Sequence, residues 1–378
     1  MNASRLSNRR EFLRQSAAGA IGTAIAAACP AAAAAAPSNA AAAKPTEAVR
    51  TAPSGAVQSE VRFSEMRKTA VQLKEVDEVR VTTLLDNFVD LNLPTTEVAK
   101  RPAPTADVFF KPMLTAEHGF AALVTIRKGD GVRRILLDTG SSLTGMVDNA
   151  DVLGLDLSGL DAIVISHGHC DHTLGTAKLL GRLGHRRVRF VAHPYALLEH
   201  RIVMPSVTVG MPQLNRDILQ GANVDLIEAT EPTLLEGNSL LVSGEVARTT
   251  SFETGLPTNQ VKLNGAWQPD PLVRDDQSMA VNLRGKGLVI VTGCAHAGIV
   301  NTIRYVQAIT GVETVYAVIG GLHLQNPQAI APTVAAIKAI GPRWVVPTHC
   351  TGFAAIHEFA RAMPEAFIQN GVGTTLVL

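Results

Sequence analysis

The chain has 378 residues, 46% of them hydrophobic and 4% aromatic. Its 34 Lys and Arg nearly balance 33 Asp and Glu, for a formal net charge of +1. That balance argues against a dedicated nucleic-acid binder, which carries a basic surplus, and so few aromatics offer no platform for stacking bases or sugars.

In chain order, residues 1–43 read as an export signal rather than as fold. Arg9-Arg10 precedes Phe12-Leu13, a weakly apolar run spans Ala17 to Ala28, and small residues from Ala31 to Ala36 offer cleavage sites. This pattern fits a twin-arginine signal peptide, and the run is too short for a membrane span. The expectation is a periplasmic or otherwise exported protein, with the twin-arginine translocation machinery as its partner during export. Cys29 lacks the leucine usual three residues before a lipidated cysteine, so a lipid anchor there is not expected. Residues 44–75, with Pro45, Pro53 and no sustained apolar period, read as a flexible linker. Residues 76–378 form the folded domain.

Within that domain, Val79 to Leu85 is strand-like and stopped by Asp86-Asn87. Ala121 to Ile126 is a second strand, turned by Lys128-Gly129-Asp130-Gly131 into Val132 to Leu137, a hairpin by its Asp-Gly signal. A short apolar strand, Ala162 to Ile165, leads into a loop and a helix over Thr176 to Leu183. Val188 to Ala192 is again a strand. Residues 195–260 are irregular and are expected to cover the mouth of a site. Strands at Ser278 to Leu283, Leu288 to Thr292, Val315 to Ile319 and Trp344 to Val346 alternate with helices at Ile299 to Ile309 and Ile330 to Ile340. The pattern predicts a mixed α/β domain with no 20- to 50-residue repeat.

The densest chemical signal is His167-Gly168-His169-Cys170-Asp171-His172. Three imidazoles and a carboxylate within six residues, just past a strand, make a metal-site pattern, since neutral imidazole suits zinc, iron and related ions. Alternate residues at a strand end point to one side, so His167 and His169 can share one ion. Asp171 and His172 follow the bend and can reach a second. Three further histidines, His296, His323 and His349, each sit just past an apolar strand, where strand ends on one sheet edge converge. Asp275-Asp276 adds a carboxylate pair ahead of another strand.

The H-x-H-x-D-H motif, with Asp138-Thr139-Gly140 and Ser166 upstream, resembles the metallo-β-lactamase superfamily. Glu117-His118-Gly119, Asp275-Asp276-Gln277, Gly293-Cys294-Ala295-His296, Gly320-Gly321-Leu322-His323 and His349-Cys350-Thr351-Gly352 resemble one branch of it, named for a dihydropterin-methyl-aminobenzene-ribofuranosyl-phosphate synthase. The likeness spans roughly residues 79 to 378. It implies a four-layer αβ/βα sandwich with the site at one edge between the sheets. It also implies two divalent metal ions, zinc or else manganese or iron, and a metal-activated hydroxide that hydrolyses an ester, amide or phosphoester of a small molecule.

Two departures from the family matter. The P-G-H-T segment that supplies a third imidazole to the first metal in many relatives is missing, so either a carboxylate of Asp275-Asp276 or His296 takes that place. The usual Gly-Asp bridging position reads Gly293-Cys294. The favoured ligand set is His167, His169, Asp171, His172, His296 and His349. Asp171 orients the hydroxide while binding metal, His323 protonates the leaving group or grips a phosphate, and Asp276 and His323 lie near substrate. Cys170, Cys294 and Cys350 read as small buried residues. The alternatives are a synthase-like transferase, against which the export signal weighs, and a non-catalytic metal-binding protein.

Overall fold

The computed structural model describes residues 70–184 and 186–378. The twin-arginine segment with Cys29, and the linker up to residue 69, lie outside the described residues. No helix among the described residues is long and apolar enough to cross a membrane.

Two large sheets face each other. The first runs, edge to edge, through Val224–Glu228, Val188–Ala192, Ala162–Val164, Gly131–Leu137, Ala121–Lys128, Glu78–Leu85, Thr375–Val377 and Ala99–Lys100. The second runs through Thr233–Leu235, Leu240–Val242, Ser278–Leu283, Gly287–Thr292, Val315–Gly321 and Trp344–Thr348, with Glu75–Val76 paired beside Ser278–Leu283. The alternation of side chains along each strand explains the layering. Val79, Val81, Val124, Ile126, Ile135 and Leu137 meet Met279, Val281, Val289, Val291, Ile319 and Val346 in one buried cluster between the sheets. The opposite faces pack on helices. Leu123, Leu136, Ile163 and Phe190 bury against Met146, Val147, Leu179 and Leu183. Leu288, Ile290, Val318 and Val345 bury against Ile303, Val306, Val334, Ile337 and Phe359. The result is the expected helix–sheet–sheet–helix sandwich.

The hairpin forms as read, with Lys128 opposite Gly131 and Gly129 at φ +56°. Some features were not legible, the helix Gly145–Val152 among them. Helix Phe353–Ala362 and the C-terminal strand Thr375–Val377 were not anticipated, the latter because three residues carry no period. Residues 195–260 are more ordered than expected. Val224–Glu228 and the Thr233–Val242 hairpin extend the two main sheets. His200–Val203 and Thr208–Gly210 join Asn259–Leu263 and Ala266–Pro269 in a separate four-stranded antiparallel sheet.

Candidate metal centre

The site is built where strands of both sheets end side by side. Strand Gly131–Leu137 delivers Asp138, fully buried and at φ +60°. Its neighbour Ala162–Val164 runs on into Ser166 and the histidine cluster. Asp138 Oδ1 accepts from the Ser166 backbone N–H at 2.7 Å, and Oδ2 accepts from the Ser166 hydroxyl, also at 2.7 Å. The same Oδ2 lies 2.7 Å from His172 Nδ1. One carboxylate therefore holds the Nδ1–H of His172 and turns its Nε2 lone pair inward, the usual way an outer carboxylate fixes a metal-ligating imidazole.

Ser166 passes the same constraint to His167. Its hydroxyl proton goes to Asp138, so its oxygen accepts from His167 Nδ1 at 2.9 Å. His167 Nε2 is then left as a bare lone pair, fully buried and with no hydrogen-bond partner. Asn259, on the small antiparallel sheet, lies 3.2 Å from His169 Nε2 through its carbonyl oxygen and takes that N–H, leaving Nδ1 of His169 unprotonated.

The second sheet supplies its side chains from three consecutive strand ends. Ala295, His323 and His349 follow the strands ending at Thr292, Gly321 and Thr348, and all three have positive φ, +51°, +41° and +49°. Such conformations cost about 1–3 kcal/mol each outside glycine and persist where packing over-determines them. Here each aims a turn at the cluster. Asp86, at the end of strand Glu78–Leu85, pins one of these turns from across the sandwich. Its Oδ1 accepts from the His349 backbone N–H at 3.0 Å, and its Oδ2 accepts from the Thr348 hydroxyl.

These constraints assemble two triads. Ligand atoms of His167, His169 and His296 all lie within 4.8 Å of one another, as do those of Asp171, His172 and His349. The metal fit can be tested on the lone pairs. His172 Nε2 and His349 Nε2 face each other at 3.2 Å, and Asp171 Oδ2 is 3.4 Å from His349 Nε2. His172 Nδ1 is held by Asp138 and His349 Nδ1 lies 3.0 Å from Asn87 Oδ1, so both Nε2 atoms and the Asp171 carboxylate face one point that calls for positive charge, a proton or a metal. In the first triad both ring nitrogens of buried His296 have no protein partner, and His167 Nε2 has none. Unpartnered buried polar atoms are costly, and a shared divalent ion would satisfy His167 Nε2 and one ring nitrogen of His296. The residues fit a divalent metal.

The electrostatics of the two triads differ. Burial and the surrounding imidazoles hold His167 well below the ordinary histidine pKa, and burial and His200 bring His169 down to about 4. Burial also opposes charge on His172, but Asp138 and Asp171 outweigh it and raise its pKa to about 9. Burial would raise Asp171, yet His172 and His349 hold it below the ordinary carboxylate range.

The remaining candidates fall around these triads. His323 packs against His296 with ring centroids 4.1 Å apart and planes tilted by 49°, and it lines a small cleft with Phe252, Glu253, Leu324 and Asn326. Asp276 is 2% exposed, and its Oδ2 accepts from Ala297 N at 2.9 Å. It braces the turn carrying His296 and has no open face toward a substrate, while burial lifts its pKa to about 7. Asp275 likewise braces a turn, accepting from Gly168 N at 2.6 Å. Of the candidates for a third position beside His167 and His169, His296 is the one whose ligand atom groups with theirs. Cys294 is more central than a filler residue, with Sγ 3.2 Å from His172 Nε2 and grouped with one histidine from each triad.

Comparison with known proteins agrees with this architecture. Residues 133–238 match the beta-lactamase superfamily domain. A 7,8-dihydropterin-6-methyl-4-(beta-D-ribofuranosyl)-aminobenzene-5'-phosphate synthase of Methanocaldococcus jannaschii is 26% identical over 302 residues, covering 79% of this chain and 96% of the synthase. An uncharacterized protein of the same archaeon is 29% identical over 260 residues, covering 68% of this chain and 92% of that one. The crystal structure of a metal-dependent hydrolase of the beta-lactamase superfamily superposes with a TM-score of 0.60 at 24% identity, covering 79% of this chain and 98% of the other, which shows a shared fold.

Proposed function

We propose that this chain, which carries a beta-lactamase superfamily domain and is homologous to the archaeal synthase, is a metal-dependent hydrolase with a dinuclear centre. Its substrate is a small-molecule ester, amide or phosphoester. The observation that carries this reading is the convergence of two triads of ligand-type atoms, with a small cleft beside His296. Divalent ions, when bound, supply Lewis acidity and a nucleophile at neutral pH. Zinc is the ion best matched to such imidazole-rich sets, with manganese or iron as alternatives.

The chain's own groups would then act as follows. Asp171, 21% exposed at the side chain and facing His172 and His349, orients the nucleophile toward the substrate. His323 stands beside His296 on the cleft wall, where it can give a proton to the leaving atom. Burial opposes charge on His323, but Cys350, Asp276 and Asp171 raise its pKa, which keeps that proton available. The sheet bearing Asn259 and His200 closes over His169 and limits access of water from that side. Export through the twin-arginine machinery to the periplasm belongs to the same proposal, and that machinery carries proteins already folded with their metals.

A second reading, a synthase-like transferase, is favoured by the 26% identity that spans most of both chains. The deciding experiment is metal content by elemental mass spectrometry together with hydrolysis of bis(p-nitrophenyl) phosphate. About two equivalents of metal and turnover abolished by chelator support the hydrolase. Metal without turnover on a panel of esters and phosphoesters moves the weight to the transferase. A protein that binds no metal after growth with ample supply sinks both.

A further inference from the structure

We propose that Asn87 is a positioning residue that sets the tautomers of two histidines, and that one of them, His118, is a substrate-binding donor for an oxyanion at the second triad. His118 belongs to the Glu117-His118-Gly119 motif and has no part in the metal centre as described above, and Asn87 enters it only through its contact with His349 Nδ1.

The argument rests on one amide group. Asn87 Oδ1 lies 3.0 Å from His349 Nδ1, and Asn87 Nδ2 lies 3.2 Å from His118 Nδ1. Its third contact fixes which end is which, because Nδ2 donates to the backbone carbonyl of His349 at 3.4 Å and an oxygen there could not. His349 must therefore carry its proton on Nδ1, which frees Nε2 toward His172 and Asp171. His118 must accept at Nδ1, which places its proton on Nε2. A single side chain thus imposes opposite tautomers on neighbouring rings, one as a ligand and one as a donor.

The placement of His118 suits that second role. Its ring lies against His349 with centroids 5.3 Å apart, and Nε2 is 3.8 Å from Asp171 Oδ2. That distance is beyond a hydrogen bond, and no hydrogen bond among the described residues takes this N–H. The side chain is 70% exposed, whereas those of His172 and His349 are fully buried, so an incoming ligand can reach it. A fixed N–H at the solvent edge of a cationic triad matches a phosphoryl or carboxylate oxygen held partly by the triad.

The proposal uses the metal-centre reading but not turnover, so the two can fail separately. The test is imidazole nitrogen NMR and inorganic phosphate titration of the zinc-loaded protein, with Asn87→Asp and His118→Ala beside the parent chain and circular dichroism to verify folding. In the parent, His118 is expected to hold its proton on Nε2 and His349 on Nδ1. Asn87→Asp keeps an acceptor for His349 but has no donor for His118. It should retain zinc, move the His118 proton to Nδ1 and weaken phosphate about tenfold or more, as should His118→Ala. A parent His118 protonated on Nδ1 would overturn the proposal, as would phosphate affinity unchanged in His118→Ala. If the parent bound no zinc, the hydrolase reading would fail, and the His118 tautomer in the zinc-free protein would still decide the role of Asn87.

Discussion

The two triads are built from similar parts but are held in different ways. His167, His169 and His296 are all imidazole, buried, and depressed in basicity by burial and by one another. Asp171, His172 and His349 include a carboxylate, lean on a second carboxylate at Asp138, and reach solvent through Asp171. The first triad presents neutral lone pairs that no proton competes for near pH 7. The second already favours positive charge, so a metal there must displace a proton. On the dinuclear reading proposed above, the contrast sets a buried, neutral site beside a charged one that reaches solvent through Asp171.

The largest effect should come from the residue that serves both. Asp138→Ala removes the acceptor for His172 Nδ1 and breaks the Ser166 link to His167. Deleting one partner of a buried charged pair costs about 3–5 kcal/mol. Loss of both metal equivalents and a drop in thermal midpoint are expected, read by elemental analysis and calorimetry. A folded variant with two metals would dissolve the claim that one carboxylate organises both triads.

Single ligand deletions should separate the triads. His296→Ala is expected to lose one equivalent while the Asp171 side still loads, and His349→Ala should lose the other. Cobalt substitution would distinguish the two by their absorption. If both variants lost the same ion, the division into two triads would be mistaken.

The pH response sharpens the contrast. A folded pKa of about 9 for His172 lies above the unfolded value of about 6.5. Its protonation stabilises the metal-free fold fully below about pH 6.5, and that contribution is lost as pH rises through 9. His169, lowered to about 4, behaves oppositely, with its contribution present above about 6.5 and lost as pH falls toward 4. Metal takes the proton's place on His172. The thermal midpoint of the metal-free protein should therefore fall between pH 6.5 and 9 by more than that of the zinc form. Equal slopes for the two forms would contradict this account.

The local half of the centre was legible in the sequence because one strand end carries His167, His169, Asp171 and His172 within six residues. The strand-end logic also located His296 and His349, since a histidine just past an apolar strand has few other places to point. The supports were harder to read. Asn87 and His349 are 262 positions apart, and Asn259 is 90 positions from His169. No local pattern links such pairs, and Asp86-Asn87 read only as a strand stop. The bracing contact of Asp276 with Ala297 was not legible, because a carboxylate pair before a strand looks the same whether it faces a ligand or caps a turn. The layers followed from alternation, while the small sheet over the site did not, because its strands are short and rich in polar residues.

The smallest effect tests the finest part of the comparison. Ser166→Ala removes one hydroxyl that stands between Asp138 and His167, and leaves the direct Asp138–His172 contact in place. Without that acceptor, His167 no longer has its proton fixed on Nδ1, so part of the population would carry it on Nε2 and lose the ligand atom. Outer-shell losses of this kind weaken metal binding about 10- to 100-fold. The expected result is weaker binding at the first triad alone, with the second unchanged, measured by competition with a chromophoric chelator. Equal weakening at both would mean that Ser166 acts by positioning Asp138 and not by setting the His167 tautomer.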